Sequence, residues 1–175
     1  MTNKGKYYES QFEEATIELL REAHWQYAFG DDIHRKYTDP LIEEDLRNFL
    51  AVQYKDKNLT TSEMDSIIAN LRNTGGQNDY YALRNAFLLY RDGYDFAYSD
   101  GRDNPFRLEY IDFGHPDHNI FRCVNQFVME QGRENRRPDI LLFINGIPVC
   151  IIELKNPTKQ NATIRDAHTQ ICTRY

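Results

Sequence analysis

Residues 137–155, with the sequence RPDILLFINGIPVCIIELK, constrain the fold of this chain more than any other segment. Two nearly unbroken apolar runs, 140–144 and 147–152, flank Asn145 and Gly146. An Asn-Gly pair between two apolar runs is a strong signal for a β-hairpin turn. Because neither run alternates with polar residues, we expect both faces of the two strands to be covered and the strands to be central in a sheet.

Three charged residues stand at the open end of this hairpin, where burying a charge is costly. Asp139 precedes the first strand, and Glu153 and Lys155 end the second. A strict two-residue turn would direct Asp139 and Glu153 to opposite faces of the sheet. A three-residue loop or a β-bulge shifts the count by one and puts all three charges on one face. We predict the odd-length loop at Asn145-Gly146, because it gathers three costly charges into one site.

Two carboxylates on one face of this strand pair could hold a divalent cation between them. Cβ atoms placed diagonally across such a pair lie within ~7–8 Å of each other. Carboxylate oxygens without Cys or His favour Mg²⁺ or Mn²⁺ over zinc. Lys155 beside Asp139 and Glu153 could orient or deprotonate an attacking water and stabilise the negative charge on a phosphate. The pattern favours metal-dependent phosphodiester hydrolysis, and its alternative is a buried structural salt bridge.

The rest of the chain predicts an α/β (α+β) fold with a mixed central β-sheet flanked by helices. Apolar residues at helical spacing alternate along the chain with stretches of period two between turn residues. The first part, about residues 1–92, is dominated by helices, and the sheet with the catalytic residues occupies about 93–175 of a single domain. The predicted helices cover 7–23, 41–55, 61–73, 79–91 (with the apolar stripe Tyr80, Leu83, Phe87 and Tyr90) and about 163 to the end; the predicted strands are 25–30 and an antiparallel meander of 94–98, 106–113 and 120–130.

The formal net charge of −6 is unevenly distributed. Residues 1–132 hold 14 basic against 23 acidic side chains, whereas residues 133–175 hold 7 against 4. An acidic balance argues against unspecific binding of polyanions. No apolar run approaches 18 residues and the amino terminus lacks a signal-peptide core, so we expect a cytoplasmic protein without membrane contact. In that reducing compartment we expect Cys123, Cys150 and Cys172 to be buried thiols.

Two other groups of residues are weaker candidates. His115-Pro116-Asp117-His118, near Asp112, could suggest a metal site, but its turn-like setting favours a loop of exposed polar residues. Glu13 could contribute a third carboxylate from the first helix, although a solvent-facing position is favoured. No GxxxxGK[ST] phosphate loop occurs, so nothing in this sequence binds ATP by that route.

The hairpin resembles a known nuclease pattern. Pro138-Asp139 and Glu153-Leu154-Lys155 resemble the two elements of the PD-(D/E)xK superfamily. Together with Val124-Asn125-Gln126-Phe127 and the segment DAHTQICTRY at 166–175, they are similar to the N-terminal nuclease domain of the restriction (HsdR, motor) subunit of type I restriction–modification enzymes. The motif-bearing resemblance covers about residues 120–175.

The resemblance assigns roles to individual residues. It implies that Asp139 and Glu153 bind the metal, that the backbone carbonyl of Leu154 joins them, and that Lys155 is the catalytic lysine. The family carries a Gln-x-x-x-Tyr element on a following helix, and Gln170 matches its first member. Arg174 stands four residues on and Tyr175 one further, which would turn Tyr175 about 100° around a helix, so its role stays open.

The resemblance also implies a restriction-endonuclease-like core and a function. The expected activity is Mg²⁺-dependent (or Mn²⁺-dependent) cleavage of double-stranded DNA after ATP-driven translocation by motor domains outside this chain. The expected partners are the modification and specificity subunits. The chain would then be an amino-terminal fragment of a larger motor subunit, weak or inactive by itself. The alternative is a non-catalytic docking module, in which the acidic helical part joins the motor to the modification subunits and the hairpin charges are structural.

Overall fold

The computed structural model describes residues 9–75, 77–132, 134–155 and 164–174. Within these ranges, helices and a mixed sheet confirm the α/β fold class. None of the described helices is long and apolar enough to span a bilayer. The helices are α1 (Glu9–Glu22), α2 (Glu43–Gln53), α3 (Thr61–Arg72), α4 (Asp79–Asp92) and α5 (Ile164–Arg174); the strands are β1 (Gln26–Phe29), β2 (Tyr94–Phe96), β3 (Phe106–Leu108), β4 (Phe121–Asn125), β5 (Met129–Gln131), β6 (Glu134–Arg136), β7 (Ile140–Ile144) and β8 (Ile147–Ile152).

The chain divides into two units, and the hairpin belongs to the first of them. This unit comprises Met1–Leu41 and Phe121–Tyr175, and the second comprises Ile42–Ile120. The first unit contains a four-stranded sheet in the order β1-β4-β7-β8. β1 runs parallel to β4, whereas the β4–β7 and β7–β8 pairs are antiparallel. A separate antiparallel pair, β5–β6, also lies in this unit.

β7 is a central strand, as predicted, but β8 is not. β7 pairs on both sides, and Ile140 and Phe143 are fully buried. Among the described residues β8 pairs with β7 alone, and Val149 and Cys150 are exposed. Pro148 has no N–H to offer a further strand, which suits an edge position. The expectation that both strands are covered on both faces is therefore wrong for β8.

The antiparallel meander predicted for residues 94–130 is also wrong. β2 and β3 pair with each other in the second unit, whereas β4 belongs to the sheet of the first unit. After Leu108 the chain enters a loop in which Asn119 is bonded to the backbone of Asp112, and this loop separates β3 from β4. Alternation identified the strands but carried no information about their partners.

The cysteines divide between core and surface. Cys123, on β4, is buried as expected, and burial raises the pKa of its thiol. Cys150 and Cys172 are exposed, so the expectation of buried thiols is wrong for these two. The difference for Cys150 follows from the edge position of β8.

The second unit has a core built from α2, α3 and the segment after β3. Its fully buried side chains include Leu46, Ile67, Leu108 and Tyr110, and the Tyr110 hydroxyl donates to the carbonyl of Ile67 at 2.8 Å. The helix predicted at 79–91 is present as α4 and ends at Gly93, which has a φ of 63°. Its predicted stripe is not core, however, because Tyr80, Leu83 and Phe87 are exposed.

Helix α3 begins with a capping box formed by Thr60 and Glu63. The N–H of Glu63 donates to Thr60 Oγ1 at 3.3 Å, and the N–H of Thr60 donates to Glu63 Oε2 at 2.8 Å. Arg102 donates to both oxygens of Glu63, at 2.7 and 2.8 Å. These bonds, with Arg102 contributing most, lower the pKa of Glu63 from 4.5 to about 2.

Replacing Glu63 with Gln should therefore destabilise the chain in a pH-dependent way. Because the folded-state pKa lies below the unfolded-state pKa, the ionised carboxylate stabilises the fold above pH 4.5, and this is lost as pH falls towards 2. We expect Glu63→Gln to lower the free energy of unfolding by about 1–3 kcal/mol at neutral pH and by little near pH 2. Urea unfolding across this pH range measures the difference, with exposed Glu44→Gln as the control. An equal loss at every pH would contradict the role of the charge.

Candidate active site

The hairpin turn has two residues. Ile144 pairs with Ile147, and Asn145 and Gly146 between them have φ angles of 51° and 76°. Positive φ at both central positions is what the tight type I′ turn requires, and Asn-Gly is its preferred sequence. The odd-length loop predicted for this hairpin is therefore wrong.

A β-bulge in β8 shifts the strand register by one residue, which the two-residue turn does not do. Leu142 pairs with Cys150 and Phe143 pairs with Pro148, so Val149 is an extra residue in β8. Beyond this bulge Ile140 pairs with Ile152, and Asp139 and Glu153 are the next residues along the two chain segments. Directly opposite residues of an antiparallel pair share a face. Continued by one residue, this register puts the two carboxylates on one face, through the bulge that was the alternative to the odd loop.

Asp139 is fixed by backbone bonds on both sides. Its Oδ2 accepts the N–H of Leu154 at 2.7 Å, and its carbonyl accepts the N–H of Gln126 at 3.4 Å. Leu154 stands between Glu153 and Lys155 in the sequence. The Asp139 carboxylate is thus held against the segment that carries the other two charges.

The Glu153 side chain is far more buried than that of Lys155. Its side chain is 1% exposed, and its Oε2 lies 3.7 Å from Lys155 Nζ. Gln170, on α5, donates from Nε2 to the same oxygen at 2.6 Å. Lys155 keeps 26% of its side chain exposed, so its ammonium can reach both Glu153 and solvent.

The structure brings the four predicted site residues together. Glu153 contacts both Lys155 and Gln170, and Asp139 accepts the N–H of Leu154, which lies between Glu153 and Lys155 in the sequence. Tyr175, whose role the sequence left open, lies outside the described residues. The arrangement can bind a hard cation through two carboxylates, because an ion between them would offset the cost of their burial.

Glu13 is also tied to this end of the sheet. Its Oε1 accepts from Asn125 Nδ2 at 2.8 Å and from Gln126 Nε2 at 3.3 Å. Asn125 Oδ1 accepts from the Tyr27 hydroxyl at 3.0 Å. Glu13 is half-buried, so the expectation of a solvent-facing side chain is wrong. The missed signal was the polar pair Asn125-Gln126 at the end of an apolar strand.

Removing the Gln170 side chain should weaken metal binding without unfolding the chain. Its amide donates to Glu153, which the resemblance predicts to bind metal, and losing a hydrogen bond to a metal ligand typically costs ~10–100-fold in affinity. We expect Gln170→Ala to weaken Mn²⁺ binding by that factor in a calorimetric titration. Thr169→Ala, on the exposed side of the same helix, is the control. Unchanged affinity in Gln170→Ala would show that this contact does not orient Glu153.

Comparison with known proteins gives one family. The model of the family described as the type I restriction enzyme R protein N terminus matches residues 6–175. The type I restriction enzyme HindI endonuclease subunit of Haemophilus influenzae is 27% identical over 175 residues, which cover 94% of this chain and 16% of the relative. The putative type I restriction enzyme MjaIXP endonuclease subunit of Methanocaldococcus jannaschii is 29% identical over 163 residues, 89% of this chain and 16% of the relative. The chain thus spans about one-sixth of the length of these relatives.

Proposed function

The chain belongs to the family of type I restriction enzyme R protein N termini, as its resemblance predicted, and from this premise we propose that it is a Mg²⁺-dependent endonuclease domain of the PD-(D/E)xK type. In this proposal residues 1–175 form a single nuclease domain of a longer restriction subunit. The domain hydrolyses phosphodiester bonds of double-stranded DNA after ATP-driven translocation by motor domains outside this chain. Modification and specificity subunits are its partners in the complex.

One observation carries the proposal. The Glu153 side chain is 1% exposed and lies beside Lys155, and Asp139 is bonded to Leu154, the residue between them. A fold that needed only stability would gain little from such a group, because replacing a buried ion pair with apolar residues is often neutral or favourable. Costly ionisable groups that converge at one place are typical of active sites.

The residues present fit a magnesium or manganese ion. The two acidic side chains offer oxygen ligands only, and the contacts of Asp139 and Glu153 described above involve no imidazole or thiolate. Mg²⁺ prefers such ligands and keeps several waters of its own. When bound, the ion would supply charge neutralisation at the scissile phosphate and a more acidic water.

The chain's own residues would do the remaining work. Lys155 holds a positive charge 3.7 Å from Glu153 Oε2, where it can stabilise the charge that develops on a phosphate oxygen. Gln170 keeps the Glu153 carboxylate in one orientation through its 2.6 Å bond. The N–H of Leu154 does the same for Asp139. Preorganised groups of this kind lower a barrier because they do not have to reorient during the reaction.

The docking-module alternative has support of its own in the second unit. Tyr80, Leu83 and Phe87 expose apolar side chains along one helix, α4. Exposed apolar residues that cluster are common where proteins bind each other. In that alternative Asp139, Glu153 and Lys155 would be structural only.

A crystal of the chain soaked with Mn²⁺ tests the proposed metal site directly. We expect anomalous density between Asp139 and Glu153, and none there in a Glu153→Gln crystal. Glu18→Gln, an exposed glutamate on α1, should leave the density unchanged. Density that persists in Glu153→Gln would contradict the assignment, and its absence from the unaltered chain would favour the docking module.

A further inference from the structure

The loop of residues 112–119, in the second unit, is closed by a single side chain. Asn119 accepts the N–H of Asp112 at 2.9 Å and donates to the Asp112 carbonyl at 2.8 Å. Its amide also donates to the carbonyl of Pro116 at 3.0 Å. These bonds fix both ends of the loop around the short 3-10 turn Pro116–His118. The loop therefore holds its side chains in a defined arrangement.

Three potential metal ligands converge inside this loop. His115 Nδ1 lies 3.5 Å and His118 Nδ1 3.2 Å from the same oxygen, Asp112 Oδ2. The ligand atoms of the three residues all lie within 4.8 Å of one another. Asp112 is buried, with 7% of its side chain exposed, whereas His115 and His118 are 69% and 50% exposed. A buried carboxylate thus lies beneath two imidazoles that solvent can reach.

Two further hydrogen bonds, which involve no ligand atom of the two imidazoles, orient the carboxylate of Asp112. Its Oδ1 accepts the backbone N–H of His115 at 2.8 Å, and its Oδ2 accepts from Gln53 Nε2 at 2.9 Å. Metal-binding carboxylates are usually held by such additional hydrogen bonds, which fix the direction of the remaining lone pairs. The Gln53 contact also joins the loop to the end of α2.

We propose that Asp112, His115 and His118 bind a zinc ion. Zinc ligands at ~2.0–2.2 Å in a tetrahedron lie about 3.4 Å apart, close to the two observed oxygen–nitrogen distances. Two imidazoles with one carboxylate suit Zn²⁺, whereas Mg²⁺ prefers oxygen ligands alone. The exposed side of the imidazoles leaves a fourth position for water.

Zinc bound here would fasten the loop of residues 112–119. The ion would join the buried Asp112 to both ends of the Pro116–His118 turn, and the Gln53 bond would connect the loop to α2. The competing explanation is that the two imidazoles only hydrogen-bond to Asp112. That explanation requires no metal, so binding measurements separate the two.

Titrating the chain with Zn²⁺ in excess Mg²⁺ tests the proposal, because under the proposed function the excess Mg²⁺ would compete for the hairpin carboxylates. We expect one tightly bound Zn²⁺ per chain, and a tetrahedral visible spectrum when Co²⁺ replaces it. His115→Ala and His118→Ala should each weaken binding at least ~100-fold. Both side chains are exposed, so neither change should alter the circular dichroism spectrum.

His168→Ala is the matched control, because it removes an exposed imidazole that lies beside a thiol, which is another possible zinc ligand. Cys172 Sγ lies 3.6 Å from His168 Nε2, which makes this pair the competing zinc ligand. We expect His168→Ala to bind Zn²⁺ as the unaltered chain does. Absence of binding to the unaltered chain, unchanged binding in His118→Ala, or loss only in His168→Ala would each overturn the proposal.

Discussion

An intact restriction complex that carries Lys155→Ala should cleave plasmid DNA about 10²–10⁴-fold more slowly than the unaltered complex. The change removes the ammonium that lies 3.7 Å from Glu153 Oε2 and that we propose stabilises the charge developing on the phosphate. ATP hydrolysis should be unaffected, because in the proposal the motor lies outside this chain. The measurement is the initial rate of linear product formation, with ATP turnover followed in the same reaction.

Lys36→Ala provides the control, since Lys36 is an exposed lysine of the same unit. It should cut DNA at the unaltered rate. If Lys155→Ala also cuts at that rate, the nuclease assignment fails and the docking module becomes the better explanation. If instead Lys155→Ala fails to assemble, native mass spectrometry of the complex will reveal it.

Two substitutions of Asp139 should separate its contribution to activity from its contribution to stability. Asp139→Asn retains an oxygen that can accept the N–H of Leu154 but loses the negative charge. We expect this variant to unfold like the unaltered chain, yet to lose Mn²⁺ binding and about 10³-fold or more in cleavage rate. Asp139→Ala should lose the same activity and, in addition, about 1–3 kcal/mol of stability, because it leaves the Leu154 N–H without its acceptor.

Activity and stability must therefore be measured on both variants. Asp31→Asn, at an exposed position in the same unit, should change neither quantity. A fully active Asp139→Asn would show that this carboxylate does not hold the metal. Equal stability of the Ala and Asn variants would show that the bond to Leu154 contributes little.

Much of the site could be predicted from the sequence because its chemistry is local. The hairpin, its turn residues and the charges at its open end lie within residues 137–155. The cost of burying Asp139 and Glu153 on separate faces pointed to a shared face. That reasoning predicted a register shifted by one residue but not the cause of the shift. A loop of odd length and a β-bulge each shift the register by one residue. The bulge at Val149 lies in the edge strand β8, where bulges are common, and that edge position is visible only in the assembled sheet.

The remaining differences arise from contacts between distant parts of the chain. Glu13 finds its partner Asn125 across 112 positions, a distance over which sequence periodicity carries no information. Likewise, the 3.6-residue period located α4 correctly but could not show that Leu83 and Phe87 are exposed. The strands between 94 and 130 were recognisable from alternation, whereas their partners were set by the division into two units.

Because β8 contains one extra residue, the placement of the hairpin charges depends on the number of residues in this strand as well as on their identity. Deleting Val149 alone would keep Asp139, Glu153 and Lys155 in the chain and leave the tight turn intact. It would also turn the side chains of Glu153 and Lys155 to the other face of the sheet. Gain or loss of one codon between the turn and Glu153 is thus more damaging than most exchanges of one apolar residue for another. In a library of variants of this segment selected for activity, the active variants should therefore differ in their side chains but keep the same number of residues.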